Sequence, residues 1–168
     1  MPPMDSFWQG KRVLLTGHTG FKGSWLSLWL SRLGAHTTGV ALPPATEPNL
    51  YQLAHVDKTL DSYYCDLRVE KALVPIVRTV LPDIVFHLAA QPLVRASYRA
   101  PIDTLGTNIM GTAHLLEALR GIEGVRVIIV VTTDKVYKSI GASAAYGESD
   151  PLGGHDPYSA SKAACEMV

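Results

Sequence analysis

The sequence predicts an α/β fold, a doubly wound parallel sheet with helices on both faces. Three observations predict it. Short apolar runs alternate with longer segments of helical period along the whole chain. The apolar runs lack the in–out alternation of a half-exposed strand, which suits strands covered on both faces. The first run ends directly in a glycine-rich turn that opens a helix, "TGHTGFKG" at 16–23.

The elements follow in order. "KRVLLTG" (11–17) is a buried strand stopped by glycine, and "FKGSWLSLWLSRLG" (21–34) places Trp25, Leu26, Trp29, Leu30 and Leu33 at helical spacing, with Gly34 as the stop. "AHTTGVAL" (35–42) is the second strand, "PPATEP" (43–48) a proline-rich loop, and "LDSYYCDL" (60–67) the third strand. "EKALVPIVRTVL" (70–81) is a helix that Pro75 can kink. "PDIVFHLAA" (82–90) is the fourth strand. The segment 101–121 is one long helix with Leu105, Ile109, Leu115, Leu116 and Leu119 inward. "VRVIIVVTT" (125–133) is the clearest strand, with six valines and isoleucines in nine residues. A glycine-rich loop follows, and a last helix starts near 157.

Composition narrows the function. The 168 residues suit one domain, read as spanning 1–168, and 15 basic residues balance 15 acidic ones. A neutral chain argues against nucleic acid or an anionic membrane as partner. No apolar run approaches the roughly 20 residues of a membrane span, and the N-terminus lacks a secretory pattern. Cys65 and Cys165 form no CxxC motif, so a reducing cytoplasm is the expected setting. The six histidines show no HxxxH or HExxH pairing, so no metal site is expected.

The turn at 16–23 carries Gly17, Gly20 and Gly23. A dinucleotide site needs a tight exit from the strand, close backbone approach to a pyrophosphate, and a helix packed hard on the strand. The helix start offers free N–H groups to phosphate, and Lys22 adds charge. His18, Thr19 and Phe21 complete the turn. The alternative is an ordinary strand–helix turn with glycine as filler. No lysine–hydroxyl pair of the ATPase type is present. The second strand ends in Val40, Ala41 and Leu42 without the carboxylate that would grip a ribose, which leaves NAD and NADP open there. The absence of a following arginine inclines the reading to NAD. Asp66 is a candidate acceptor for the adenine amino group, or else a cap for the next helix.

Tyr158 and Lys162 lie one turn apart on the last helix, after a strand ending in Thr132-Thr133-Asp134-Lys135. Carboxyl ends of strands are where open parallel sheets bind ligands. A tyrosine accepts a hydroxyl proton only as phenolate, a form that a neighbouring lysine and an oxidised nicotinamide favour. Thr133 can hydrogen-bond the same substrate oxygen. Together they make an alcohol-oxidising site; the alternative is a surface i,i+4 pair.

The set "TGHTGFKG", "CDL", "HLAAQP", "TNIMGT", "TTDKVY" and "YSASK" resembles the extended short-chain dehydrogenase/reductases, and within them the CDP-glucose 4,6-dehydratases. The resemblance covers nearly the whole chain. Related dehydratases usually carry glutamate at the positions of Lys135 and Gln91. It implies a Rossmann sheet of order 3-2-1-4-5 that ends here before further strands and a substrate lobe, in a protein about twice as long. It implies NAD held by Gly17 to Gly23, Asp66, Leu67, Leu88, Ala89, Ala90, Asn108, Tyr158 and Lys162. CDP-glucose would lose water to give a 4-keto-6-deoxy sugar for deoxysugar and O-antigen synthesis. Tyr158 would take the 4-hydroxyl proton, Thr133 position that oxygen, Lys162 hold the nicotinamide ribose, and Asp134 protonate the departing 6-hydroxyl. Lys135 is the candidate C5 base or enolate stabiliser, which requires it to be neutral; otherwise it is a solvent-facing charge. Asn108 would hold backbone or water near the site. Family members pair through the 101–121 helix and the tyrosine helix, so a homodimer is expected. This stretch alone is expected to be inactive. The competing readings are a sugar-nucleotide 4-epimerase and a non-catalytic NAD-binding module.

Overall fold

Strands β1 (Arg12–Thr16), β2 (His36–Ala41), β3 (Asp61–Tyr64), β4 (Ile84–His87) and β5 (Val127–Val130) form one parallel sheet in the order β3-β2-β1-β4-β5. That is the order expected from the sequence. The structure, a computed structural model, describes residues 4–138 and 145–168. Part of the expected glycine-rich loop after the fifth strand, 139–144, lies outside the described residues.

The helices are α1 (Met4–Trp8), α2 (Phe21–Arg32), α3 (Leu50–Leu53), α4 (Glu70–Val80), α5 (Val94–Arg99), α6 (Pro101–Leu105), α7 (Gly111–Leu119) and α8 (Pro157–Met167). Val13, Leu30, Ala35 and Ile84 form the core under α2, with Trp8, Leu26 and Phe86 packed against it. Leu14, Val40, Leu73, Val77, Val85, Leu115 and Leu119 form the larger core under α4 and α7. Neighbours Val13 and Leu14 thus point to opposite faces, so β1 is central and covered on both sides. Each such fully buried Leu or Val stabilises the fold by about 1.5–3 kcal/mol. Among the described residues no helix is long and apolar enough to cross a membrane.

The structure corrects the sequence reading in four places. Trp25 and Trp29 are 56% and 59% exposed. The sheet-facing side of α2 is instead Gly23, Ser24, Ser27 and Leu30, because only small side chains let the helix approach β1 closely. The run 125–133 yields a strand of only four residues, since its partner β4 has four. One ladder bond extends each end, Arg126 N–H to Asp83 O and Val131 N–H to His87 O. Neither edge strand is covered on both faces: β3 is exposed throughout, and Val127, Ile128 and Ile129 of β5 are exposed. The 101–121 helix is interrupted by a π-helical turn, Gly106–Met110, and buries Thr104, Asn108, Thr112, Leu115 and Leu119. Leu105, Ile109 and Leu116 are only half-buried. The inward polar groups are tolerated because each finds a hydrogen-bond partner. Helices α1, α3 and α5 have no counterpart in the sequence reading.

Candidate active site

All five strands run parallel, so their carboxyl ends share one edge of the sheet. The glycine turn leaves β1 at that edge, residues 88–90 leave β4 beside it, and Thr132–Lys135 leave β5 beyond. Two strand spacings separate the ends of β1 and β5, about 10 Å.

The glycine turn is fixed by contact. Gly17 has φ +78°, donates its N–H to Val40 O at 2.8 Å, and lies so close to the β4 exit that a Cβ there would sit 2.7 Å from Ala89 N. A Cβ on Gly23 would sit 2.0 Å from Gly17 O, so helix and turn are in backbone contact. Gly20 caps α2 with extended backbone, and no side chain caps the helix start. The cap offers no side chain to the first-turn N–H groups, and a Cβ on Gly20 would meet only Gly17 O, at 3.4 Å. That arrangement fits a pyrophosphate. Thr19 Oγ1 donates to Leu42 O at 2.8 Å and ties the turn to the end of β2.

The other turn residues divide by direction. Phe21 and Lys22 are exposed at the helix start. His18 turns its ring inward over Gly39, where a Cβ would come within 2.4 Å of the ring, and its Nε2 pairs with Ser62 Oγ at 2.7 Å. Burial pushes its imidazole down to about 4, so the ring is neutral. Only the backbone of His18 is free to meet a phosphate.

Asp66 is heavily engaged. Its Oδ1 accepts from Arg68 N–H at 2.9 Å, and Arg68 Nη2 pairs with Oδ2 at 2.6 Å. These bonds hold the carboxyl below its usual range. Arg68 also reaches Asp103 at 3.2 Å. The cap of α4 is Val69, so Asp66 closes the turn before the helix. Leu67 is buried against Gly111. Leu88, Ala89 and Ala90 are half-buried between the glycine turn and β5.

The tyrosine helix begins in a well-made cap. Asp156 accepts from Ser159 N–H at 2.9 Å and Ser159 Oγ at 2.6 Å, with Pro157 at the first helical position. Burial pushes the Asp156 carboxyl up, but these bonds outweigh it, and the nearby Lys135 charge adds to them. Lys135 is therefore close enough to the start of α8 to be felt there. Lys162 is 5% exposed and donates from Nζ to Val131 O at 2.9 Å, at the carboxyl end of β5. Burial pushes its ammonium down. Tyr158, half-buried, lies one turn earlier. Thr133 caps the short 3₁₀ turn Asp134–Val136; its hydroxyl donates to Asp134 Oδ1 at 3.0 Å and accepts from Lys135 N–H. That turn packs against α8.

Asn108 is a junction. Its Oδ1 accepts from Gln91 N–H at 2.8 Å, and its Nδ2 donates to Ser161 Oγ at 2.8 Å and Gln91 O at 3.2 Å. Ser161 Oγ passes a bond to Tyr158 O at 2.6 Å. Gln91, Ser161 and Arg68 had no assigned site role in the sequence, and the only available signal was their nearness to "HLAA", "YSASK" and "CDL".

The sequence signature of the GDP-mannose 4,6 dehydratase family matches residues 14–168. The CDP-glucose 4,6-dehydratase of Salmonella typhimurium is 47% identical over 163 residues, covering 97% of this chain and 45% of that protein. The GDP-mannose 4,6-dehydratase of Vibrio cholerae is 31% identical, covering 90% of this chain and 43% of that protein. The chain thus spans less than half the length of these curated relatives. Among solved structures, MoeE5 in complex with UDP-glucose and NAD superposes with a TM-score of 0.73 at 30% identity, covering 92% of this chain and 46% of that one.

Proposed function

The chain belongs to the GDP-mannose 4,6-dehydratase family, and from that premise we propose that it supplies the cofactor-binding and proton-handling part of an NAD-dependent CDP-glucose 4,6-dehydratase. The observation that carries the proposal is the buried Lys162, fixed on the β5 carboxyl end one turn from Tyr158 and beside the Thr133–Lys135 turn.

When bound, NAD+ would supply reversible hydride acceptance to the site. The first-turn N–H groups of α2 and the turn at Gly17, Gly20 and Gly23 would hold the pyrophosphate, and Lys162 would hold the nicotinamide ribose. Tyr158 takes the 4-hydroxyl proton as the C4 carbonyl forms, with Thr133 on that oxygen. The carbonyl acidifies C5–H; Lys135, neutral, takes that proton. Asp134, protonated, gives its proton to the 6-hydroxyl, which leaves as water as the C5–C6 double bond forms. Lys135 would return its proton to C5, and with hydride restored at C6 the product would be the 4-keto-6-deoxy sugar. The cofactor ends in its starting state, so the reaction is a net dehydration.

A 4-epimerase needs only the tyrosine–lysine pair for its proton transfers, whereas Asp134 and Lys135, both exposed on the turn after β5, would supply the acid and base of an elimination. The proposal includes a cytoplasmic location and a homodimer joined through the 101–121 helix and α8. The test is incubation of an enzyme of the relatives' full length that carries this chain with CDP-glucose and NAD+, followed by NMR of the sugar. A 4-keto-6-deoxy product is expected. The 4-epimer would favour an epimerase, and NAD+ binding without any sugar product would favour a non-catalytic module.

A further inference from the structure

His87 stands on β4, 1% exposed, between the two halves of the site. Its Nδ1 lies 2.7 Å from Thr16 Oγ1 on β1, and its Nε2 lies 2.9 Å from Thr112 Oγ1 on α7. Both threonines are buried. The direction of every proton in this string can be deduced. Thr112 Oγ1 lies 2.6 Å from Asn108 O, and a carbonyl only accepts, so the one hydroxyl proton of Thr112 is spent there. Thr112 must then accept from His87, which places the ring proton on Nε2. Nδ1 is bare and accepts from Thr16. Thr16 Oγ1 in turn accepts from Ala89 N–H at 3.1 Å.

The opposite tautomer leaves two buried oxygens, Thr112 Oγ1 and Asn108 O, at 2.6 Å with no proton between them. It also leaves the Thr16 hydroxyl proton without an acceptor among these groups. One directed string therefore runs Ala89 N–H, Thr16, His87, Thr112, Asn108 O. The Asn108 side chain continues it to Ser161 and so to Tyr158 O. Burial first, then the Lys162 charge, pushes the His87 imidazole down to about 4, which keeps the ring neutral.

We propose that His87, held as the neutral Nε2–H tautomer, is a positioning residue that couples the cofactor-side backbone at Thr16 and Ala89 to the tyrosine helix. This deepens the proposed function and rests on it only for the link to cofactor affinity. Ala89 N–H, Thr16, His87 and Thr112 each have a single proton to give, so this part of the string has one self-consistent arrangement. Breaking it at Thr112 removes the 2.6 Å bond to Asn108 O, leaving the Cys165 Sγ bond at 3.1 Å, and loosens the hold on Gln91 and Ser161.

The test uses 15N-histidine NMR and amide hydrogen exchange on the 168-residue chain without cofactor. The expected result is an Nε2-protonated His87 whose signals do not titrate between pH 8 and pH 5.5. A proton on Nδ1, or titration in that range, overturns the assignment. Thr112→Val should speed exchange of the Gln91 amide and of amides at 161–164 by about tenfold or more, with β2 amides unchanged. Thr112→Ser, which restores the hydroxyl, should match the wild type. Acceleration spread evenly over the chain, or none at Gln91 and α8, would reduce the string to ordinary packing and overturn the coupling. NAD+ affinity should fall about tenfold in Thr112→Val and less than twofold in Thr112→Ser. A wild-type chain with the expected tautomer and exchange pattern but no NAD+ binding sinks the cofactor reading and leaves the coupling supported.

Discussion

Replacing Gly23 with alanine tests how tightly the glycine turn is built. The added Cβ would lie 2.0 Å from Gly17 O, 2.7 Å from Gly17 C and 2.8 Å from His18 Cα, all of them backbone atoms. No side-chain rotation relieves this. Ordinary contact begins near 3.4 Å, so α2 must retreat from β1 by roughly 1.4 Å. Overpacking of that kind costs about 1–3 kcal/mol, and the better helix propensity of alanine offsets at most about 1. A net loss of about 1–2 kcal/mol lowers the Tm of a chain this size by about 2–8 °C. NAD+ affinity should fall by about tenfold or more as the N–H groups are displaced. Gly20→Ala is the control: its Cβ meets only Gly17 O, at 3.4 Å. It should cost less than about 1 kcal/mol in stability yet weaken NAD+ binding, because the methyl group intrudes on the phosphate side. Circular dichroism melting and calorimetric titration give both quantities. A Gly23→Ala protein with wild-type Tm and wild-type NAD+ affinity would refute the contact argument.

Three further outcomes are expected. In an enzyme of the relatives' full length that carries this chain, Tyr158→Phe should retain NAD+ binding and lower sugar turnover by about 10²–10⁴, measured by NMR of the product. In the same enzyme Lys135→Met should slow exchange of the sugar C5 proton with solvent deuterium by about 10²; exchange at the wild-type rate removes Lys135 as the base. Hydrogen bonds from the Arg12 side chain, then from its backbone N–H, hold the Asp83 carboxyl down at about 2. A depressed carboxyl stabilises the fold above its unfolded value near 3.9 and loses that contribution as pH falls through about 2. Melting curves from pH 6 to pH 2 should show this acid limb, and Asp83→Asn should lack that part of it.

The sheet was legible because β1, β2, β4 and the 125–133 run are short apolar segments bounded by glycine, proline or polar residues. What the sequence concealed has physical causes. The exposure of Trp25 and Trp29 follows from backbone contact at Gly23, which reserves the sheet-facing side of α2 for small residues. An apolar stripe at helical spacing looks the same whether it faces the sheet or solvent. The four-residue length of β5 is set by β4, not by its own run of valine and isoleucine. Thr104, Asn108 and Thr112 are absent from the inward face expected of the 101–121 helix, yet they point inward because Gln91, Ser161 and His87 satisfy them.

The site divides the same way. The glycine turn, Tyr158 and Lys162 were legible because each motif is local in sequence. His87 was not, since its partners lie 71 and 25 residues away. Asp66 was legible as a polar strand end, but its engagement by Arg68 depends on how the turn before α4 folds.

The account stands on one groove holding one molecule, with the glycine turn at its phosphate end and Lys162 at its nicotinamide end. Calorimetric titration of wild-type and Lys162→Met protein with NAD+ and with ADP measures this directly. The expected result is about tenfold weaker NAD+ binding in Lys162→Met with ADP binding unchanged. Unchanged NAD+ affinity, or equal losses for both ligands, would contradict it.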